Sequence, residues 1–443
     1  MSPGADALSG ASCAWPAILI LLPSAAIAVQ SPPPTPPPTW GGTVREIIEA
    51  NCVQCHHVGG EAPFSLTRYE DVAPRALFIA EVTSKGRMPP WIPGEKGLPL
   101  HGHRGLSAGH IAALAAWAEA GHPVGANERS AEFDTPPKQS PDVTVSMPSP
   151  WTIPAEGGSN WGRRDRDKRT FVLPIGNTTP LQVQAITHQS AAPKAIHAVS
   201  YLVDTTGAAA WNDRRDEELG TYMSGDVLDQ PSGACGVTGV GARTCRLPDG
   251  FHWDVPAQSD LVMEVHFRPS GRAQPLQESL GLTLSTSEPS RPVRTLLSMV
   301  RRLDVPIGAA VEVADEYVLP EDVEVVGLTP RAMGVCTAIQ MTADVPGEGE
   351  VMLMDLPNFD PHWRLAYMLK EPLYLPAGTV IRSHWEIENT ETNPRNPFVP
   401  LERLSMARRT GAVAALLHVA AEDEAADQRL VAWQRASMRS RTH

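Results

Sequence analysis

The sequence predicts a multidomain chain: a small all-α unit followed by two all-β antiparallel sandwiches of jelly-roll-like form. Three observations predict it. Proline is 43 of 443 residues, roughly twice the usual share, which disfavours a helical protein and suits sheets with many turns and edges. From about residue 151 the chain runs in short β-rich segments separated by Pro, Gly, Asp and Asn. Between residues 40 and 125 the pattern is helix-compatible instead.

Taken in order, residues 14–28, AWPAILILLPSAAIA, have the length of a signal-peptide core, and Ala26-Ile27-Ala28 is a small-x-small cleavage pattern. Cutting after Ala28 is expected, which makes 1–28 a signal peptide and the protein exported, periplasmic or extracellular. The stretch is shorter than the ~20 apolar residues of a spanning helix, and Pro23 interrupts it, so no integral membrane span is expected in the mature protein. The residues before Cys13 carry no Lys or Arg, which leaves an uncleaved anchor or a mis-assigned start as the alternatives. Residues 29–39, ending in SPPPTPPPT, read as a polyproline-type linker.

The helical unit is expected over 40–125. An amphipathic helix starts at Thr43-Val44-Arg45-Glu46-Ile47-Ile48, and a second, IAALAAWAEAG, follows His110 and stops at Gly121 and Pro123. Residues 126–150 are polar and proline-rich and read as a linker. Strands are expected at AVSYLVD (198–204), DLVMEVHF (260–267), VEVVGL (323–328) and TVIRSHWEIEN (379–389). About 270 residues exceed one small sandwich, so two are expected, over 151–290 and 291–420. Residues 421–443 read as a solvated terminal helix and tail. Lys and Arg number 37 against 50 Asp and Glu, a net charge of −13; this argues against nucleic acid as the main partner, because phosphate contacts need clustered cations.

Asn51-Cys52-Val53-Gln54-Cys55-His56 contains C-x-x-C-H. The spacing lets two thiols on one helical turn add to the two vinyl groups of a haem, with the following imidazole as proximal iron ligand. Cys52 and Cys55 are therefore expected to attach haem c covalently, and His56 to ligate its iron. The alternatives are a redox C-x-x-C, which wants a βαβ context, and half a zinc site, for which His101-x-His103 is the other candidate. The distal ligand is expected in the loop Gly86-Arg87-Met88-Pro89-Pro90-Trp91 as Met88, with His57, His101 or His103 as its rivals. Cys235 and Cys245 lie ten residues apart in a Gly-rich loop; in an exported protein they suit a disulfide, with two free buried thiols as the alternative.

Several stretches resemble the copper type II, ascorbate-dependent monooxygenases, the family of peptidylglycine and dopamine hydroxylases, and more closely the bacterial proteins that join a cytochrome c domain to that double sandwich. They are KAIHAVSYLVD (194–204), DLVMEVHFRPSG (260–271), VLPEDVEVVGLTPRAMG (318–334), NFDPHWRLAYMLKEPLYLPAGT (358–379) and NTETNPRNP (389–397), with CVQCHH, MPPW and AAWAEAG in the helical part. The resemblance implies two copper sites, one per sandwich. At the first, the histidine-pair position reads Ile196-His197-Ala198 and the later position matches His266. At the second, the H-x-H position reads Pro330-Arg331-Ala332-Met333, and no methionine follows from 407 to 437. The second site is therefore expected to be lost. The first keeps His197 and His266 as residual copper ligands, with His188 or His252 as a third; hydrogen-bonded histidines without metal are the alternative.

The expected function is one-electron transfer at haem c, exchanging electrons with a redox partner protein or a small donor or acceptor. No catalytic residue set is complete. The alternatives are a copper-dependent monooxygenase fed with electrons through the haem, and a non-catalytic binding module tethered to a cytochrome.

Overall fold

The structure is a computed structural model that describes residues 36–125, 140–155, 168–221, 233–300, 302–406 and 413–440. The expected signal peptide and most of both linkers lie outside the described residues. The described chain, from Pro38 onward, packs as one compact unit.

The helical part is short and local in origin. The helix Arg45–Asn51 buries Ile47 and Ile48. The helix Ala76–Ser84 buries Ala76, Ile79 and Thr83. The longest, Ala108–Glu119, opens where the Ser107 hydroxyl accepts from the His110 N–H at 3.1 Å. It closes at Gly121, whose φ of +76° is the left-handed conformation that ends helices. Trp40, Val44, Ile48, Leu66, Val72, Leu114 and Trp117 meet in one small core.

Two sandwiches follow, as four stacked sheets. The outer sheet of the first sandwich orders its strands Val143–Ser146, Glu278–Leu284, Leu181–Ser190, Phe251–Val255 and Arg291–Pro292; Thr244–Arg246 pairs beside Leu181–Ser190. Its inner sheet orders Lys168–Pro174, Asp260–Phe267, Ile196–Asp204 and Ala234–Gly239. Phe171, Tyr201, Trp253 and Met263 fill the space between them. The second sandwich has an inner sheet, Arg294–Val300, Val413–Ala421, Val323–Ala332 and Tyr367–Leu375, and an outer one, Ala310–Val318, Val380–Glu388, Cys336–Val345 and Gly349–Leu356. Ile339, Met341, Phe359 and Trp385 fill that core.

The two inner sheets pack face to face. Leu202, Val237 and Val262 from one meet Leu297, Met299, Ala414 and Leu416 from the other. A strand covered on both faces reads as a continuous apolar run, and Val413–Ala421 is buried at every position. On the outer sheet, Val380–Glu388 alternates burial with the period of 2 of a half-solvated strand.

The helical part does not stand apart as the expected all-α domain. Its long final loop is stitched to the second sandwich: Gly94 N–H donates to the Asp355 carbonyl at 2.7 Å, and Lys370 N–H to that of Pro99 at 2.9 Å. Trp91 packs edge-on to Tyr367, ring centroids 5.7 Å apart. No described helix is long and apolar enough to cross a membrane.

Candidate functional site

The C-x-x-C-H segment continues the helix Arg45–Asn51 by one turn. Cys52 N–H donates to the Ile48 carbonyl at 2.9 Å, and His56 N–H to that of Cys52 at 2.9 Å. One turn thus carries Cys52, Cys55 and His56. Both cysteines are free thiols. Burial pushes the Cys52 thiol up to about 12, with Cys55 adding to it. Burial, then Glu61, raises Cys55 to about 11, against Arg104 and Arg243. A redox or zinc-binding cysteine needs the opposite shift, toward thiolate. At His56, Nδ1 lies 3.0 Å from the Phe64 carbonyl; read as Nδ1–H donating, this leaves Nε2 as the lone-pair nitrogen. Burial lowers the pKa of the ring from its ordinary value. Gly60 fits where a Cβ would stand 2.3 Å from the Cys55 carbonyl oxygen.

This turn is docked on the first sandwich. Gln54 Nε2 donates to the Gly241 carbonyl at 3.0 Å. Glu61 accepts from the Gly241 N–H and from Arg243 Nε. Gly241, at φ +75°, lies so close that a Cβ there would stand 2.9 Å from Cys55 Sγ. One residue earlier, Val240 N–H donates to the His197 carbonyl at 3.3 Å. Met88 sits half-buried in the loop after Ala76–Ser84, its N–H donating to the Val82 carbonyl at 3.2 Å. No contact of Met88 with His56 defines the distal side. His101 and His103 are carried instead by the loop on the second sandwich, where His103 packs on Trp91 at 5.1 Å.

His197 is the second residue of the inner strand Ile196–Asp204 and His266 the last but one of its neighbour Asp260–Phe267, their ring centroids 5.8 Å apart. The third histidine here is neither His188 nor His252. Those lie on the outer sheet, His188 bound to Glu278 and His252 to Ser290 at 2.7 Å and Asp254 at 3.1 Å. His362, from the short turn Pro361–Trp363 of the second sandwich, stands 5.3 Å from His197 instead. His197 Nδ1 is buried without a hydrogen-bond partner. Burial, and then the neighbouring His266, His362, Arg268 and Arg364, hold its pKa well below 6.5. His266 Nε2 is 2.9 Å from Glu264 Oε1 and 2.7 Å from Arg364 Nη2. Glu264 is held by Lys168 Nζ at 2.8 Å. His362 Nδ1 is 2.8 Å from Asp360 Oδ1. Among the described residues no group of three or more His, Cys, Asp or Glu is placed to hold a metal ion.

The expected Cys235–Cys245 disulfide is not formed in this structure: both are free, buried thiols. They lie on strands of opposite sheets and face the same core, with Cys245 Sγ packed over Gly236. Arg331 and Met333 occupy the end of Val323–Ala332 and the residue after its close, the segment where the resemblance implies a second copper site and where its loss was expected.

No family model matches the chain, and no curated protein is found similar to it. Among solved structures, the major capsid protein P2 of bacteriophage PM2 is 9% identical over 63% of this chain and 98% of that one, with a TM-score of 0.23. The PBCV-1 virus capsid is 9% identical over 65% of this chain and 95% of that one, with a TM-score of 0.20. At such scores neither carries an argument about function. The expectation of a cytochrome c–copper monooxygenase fusion is corrected by the structure: the described chain is mostly β, its few helices clasped to the sandwiches instead of forming a cytochrome-like domain.

Proposed function

We propose that the chain is an exported one-electron carrier whose haem c is attached through Cys52 and Cys55. The observation that carries this reading is the single turn bearing both thiols and an imidazole whose Nδ1 faces the Phe64 carbonyl at 3.0 Å. Held there, the group would supply an Fe(III)/Fe(II) couple. Cys52 and Cys55 would provide the attachment, and His56 Nε2 and the Met88 thioether would be its iron donors. Phe64 fixes the ring plane of His56, its own ring 4.8 Å away, and Arg75 covers Phe64 at 4.7 Å. Support also comes from the surface of the helical part. Leu77 and Phe78, adjacent on the helix Ala76–Ser84, are 71% and 52% exposed, apolar side chains open to a docking redox partner.

The test is expression of the full chain in a host able to attach haem, followed by an optical spectrum and mass measurement of the denatured protein. One covalently retained haem per chain is expected. Cys52→Ser and Cys55→Ser should retain it through one bond or lose it. A wild-type chain that stays colourless overturns the reading.

A further inference from the structure

We propose that the cavity between the terminal helix Glu424–Ser440 and the seam of the two sandwiches binds an uncharged, largely apolar molecule that carries a carbonyl-type hydrogen-bond acceptor. The cavity measures about 480 Å³, within the range of small-molecule sites, and it lies where such sites concentrate, between folded units. The first sandwich walls it with Val203 and Trp253, the second with Arg294 and Thr295, and the helix with Asp427 and Val431. Packing elsewhere fixes the helix over the opening. Leu430 is fully buried in the core of the second sandwich, and Trp433 lies on Tyr317, ring centroids 5.7 Å apart. The cavity is separate from the histidines described above. Val203 stands six residues along Ile196–Asp204 from His197, roughly 20 Å at the rise of a strand.

Trp253 points to the ligand. It is 2% exposed, and its indole Nε1–H has no hydrogen-bond partner among the described residues. A buried indole N–H ordinarily finds an acceptor, and leaving one unmet destabilises the fold. A ligand oxygen supplies that acceptor. Other polar groups of the wall are already engaged with one another. Arg294 Nε and Nη2 donate to Asp427 at 2.7 and 2.6 Å, and Nη2 also to Asp254 at 2.8 Å. Gln434 Nε2 donates to the Thr295 carbonyl, and the Thr295 hydroxyl to that of Ala234 at 3.0 Å. Charge selects a neutral guest: Asp254 and Asp427 balance Arg294 and Arg435 in the lining, so an ionised ligand would bring in a charge without a counter-ion. Val203, Ala234, Val293 and Val431 make the rest of the wall apolar. The cavity shares no residue with the C-x-x-C-H turn, so the proposal stands apart from the haem reading.

Equilibrium dialysis of the full chain against benzophenone, a neutral diaryl ketone, tests it beside two probes of similar shape. Diphenylmethane lacks the carbonyl, and benzoylbenzoate adds a carboxylate. We expect one benzophenone per chain, with each of the other two bound at least tenfold more weakly. Irradiated benzophenone crosslinks to neighbouring C–H groups, and the labelled peptides should include residues 427–435. Val431→Trp, which fills the cavity from a helix position outside both sandwich cores, should abolish uptake. Trp253→Phe should bring benzophenone and diphenylmethane to equal affinity, and its retained diphenylmethane binding separates a lost donor from a lost fold. Absence of saturable uptake overturns the proposal, as does wild-type protein that binds benzophenone no better than diphenylmethane. Crosslinks confined to other segments, or a ketone preference that survives Trp253→Phe, overturn it equally.

Discussion

At the scale of single residues, buried histidines divide by what their nitrogens meet. His418 is fully enclosed, with Nδ1 3.1 Å from Thr295 Oγ1 and Nε2 2.8 Å from Thr329 Oγ1. Burial lowers its pKa to about 4. Because the folded value lies below the unfolded 6.5, this contribution is complete above pH 6.5 and is lost as pH falls toward 4. A depression of this size corresponds to about 3 kcal/mol of stability removed across that window. Urea midpoints measured between pH 7 and pH 4 should therefore fall, and His418→Gln should show a shallower fall over the same range. Met88 is judged by a spectrum instead: Met88→Ala should lose the methionine-ligated signature while keeping the covalent haem, and an unchanged spectrum would remove Met88 from the distal position.

At the scale of elements, two glycines and one cap set local structure. Gly241 combines a φ of +75° with contacts that leave a Cβ 2.4 Å from Arg104 Nη1 and 2.9 Å from Cys55 Sγ. Gly241→Val should cost about 1–3 kcal/mol from strain alone and loosen the C-x-x-C-H turn. Faster amide exchange at Cys55 and His56 is the readout, with other helices unchanged. Ser107→Ala removes the cap of Ala108–Glu119 and should cost about 1 kcal/mol, read as a lower thermal midpoint. Both elements were legible in the sequence, since a helix stop at Gly121 and a C-x-x-C-H turn depend on residues within five positions of each other.

At the scale of the whole molecule, the inner sheets join the sandwiches through an apolar face. Leu416 lies in it, fully buried, among Leu297, Met299 and Leu202. Leu416→Ala should cost about 2–5 kcal/mol through lost burial and the cavity left behind. Both sandwiches should then lose stability together in denaturant melts; if only the second weakens, the shared interface is not cooperative. Glu61, which ties the helical part to Gly241 and Arg243, is the matching test for the other junction. Glu61→Ala should make the segment before residue 125 more sensitive to limited proteolysis.

The two β-sandwiches were readable because alternation and short apolar runs between turn residues record which face of a strand is buried, a property of neighbours two positions apart. The C-x-x-C-H turn was readable for the same reason: its chemistry sits on consecutive backbone hydrogen bonds. What only the tertiary structure decided was everything joined across elements. His362 stands in the quoted stretch NFDPHWRL, yet nothing in its spacing links it to His197 or His266; only the packing of one sandwich on the other brings the rings together. His188 and His252, offered as a third ligand, stand apart from His197 and His266 because they belong to the outer sheet and the other two to the inner one. The free-standing helical domain failed because loop-to-sheet hydrogen bonds at Gly94, Lys370 and Gly241 leave no trace in composition. Local periodicity is written in the order of residues, whereas contacts between distant faces depend on how whole sheets stack.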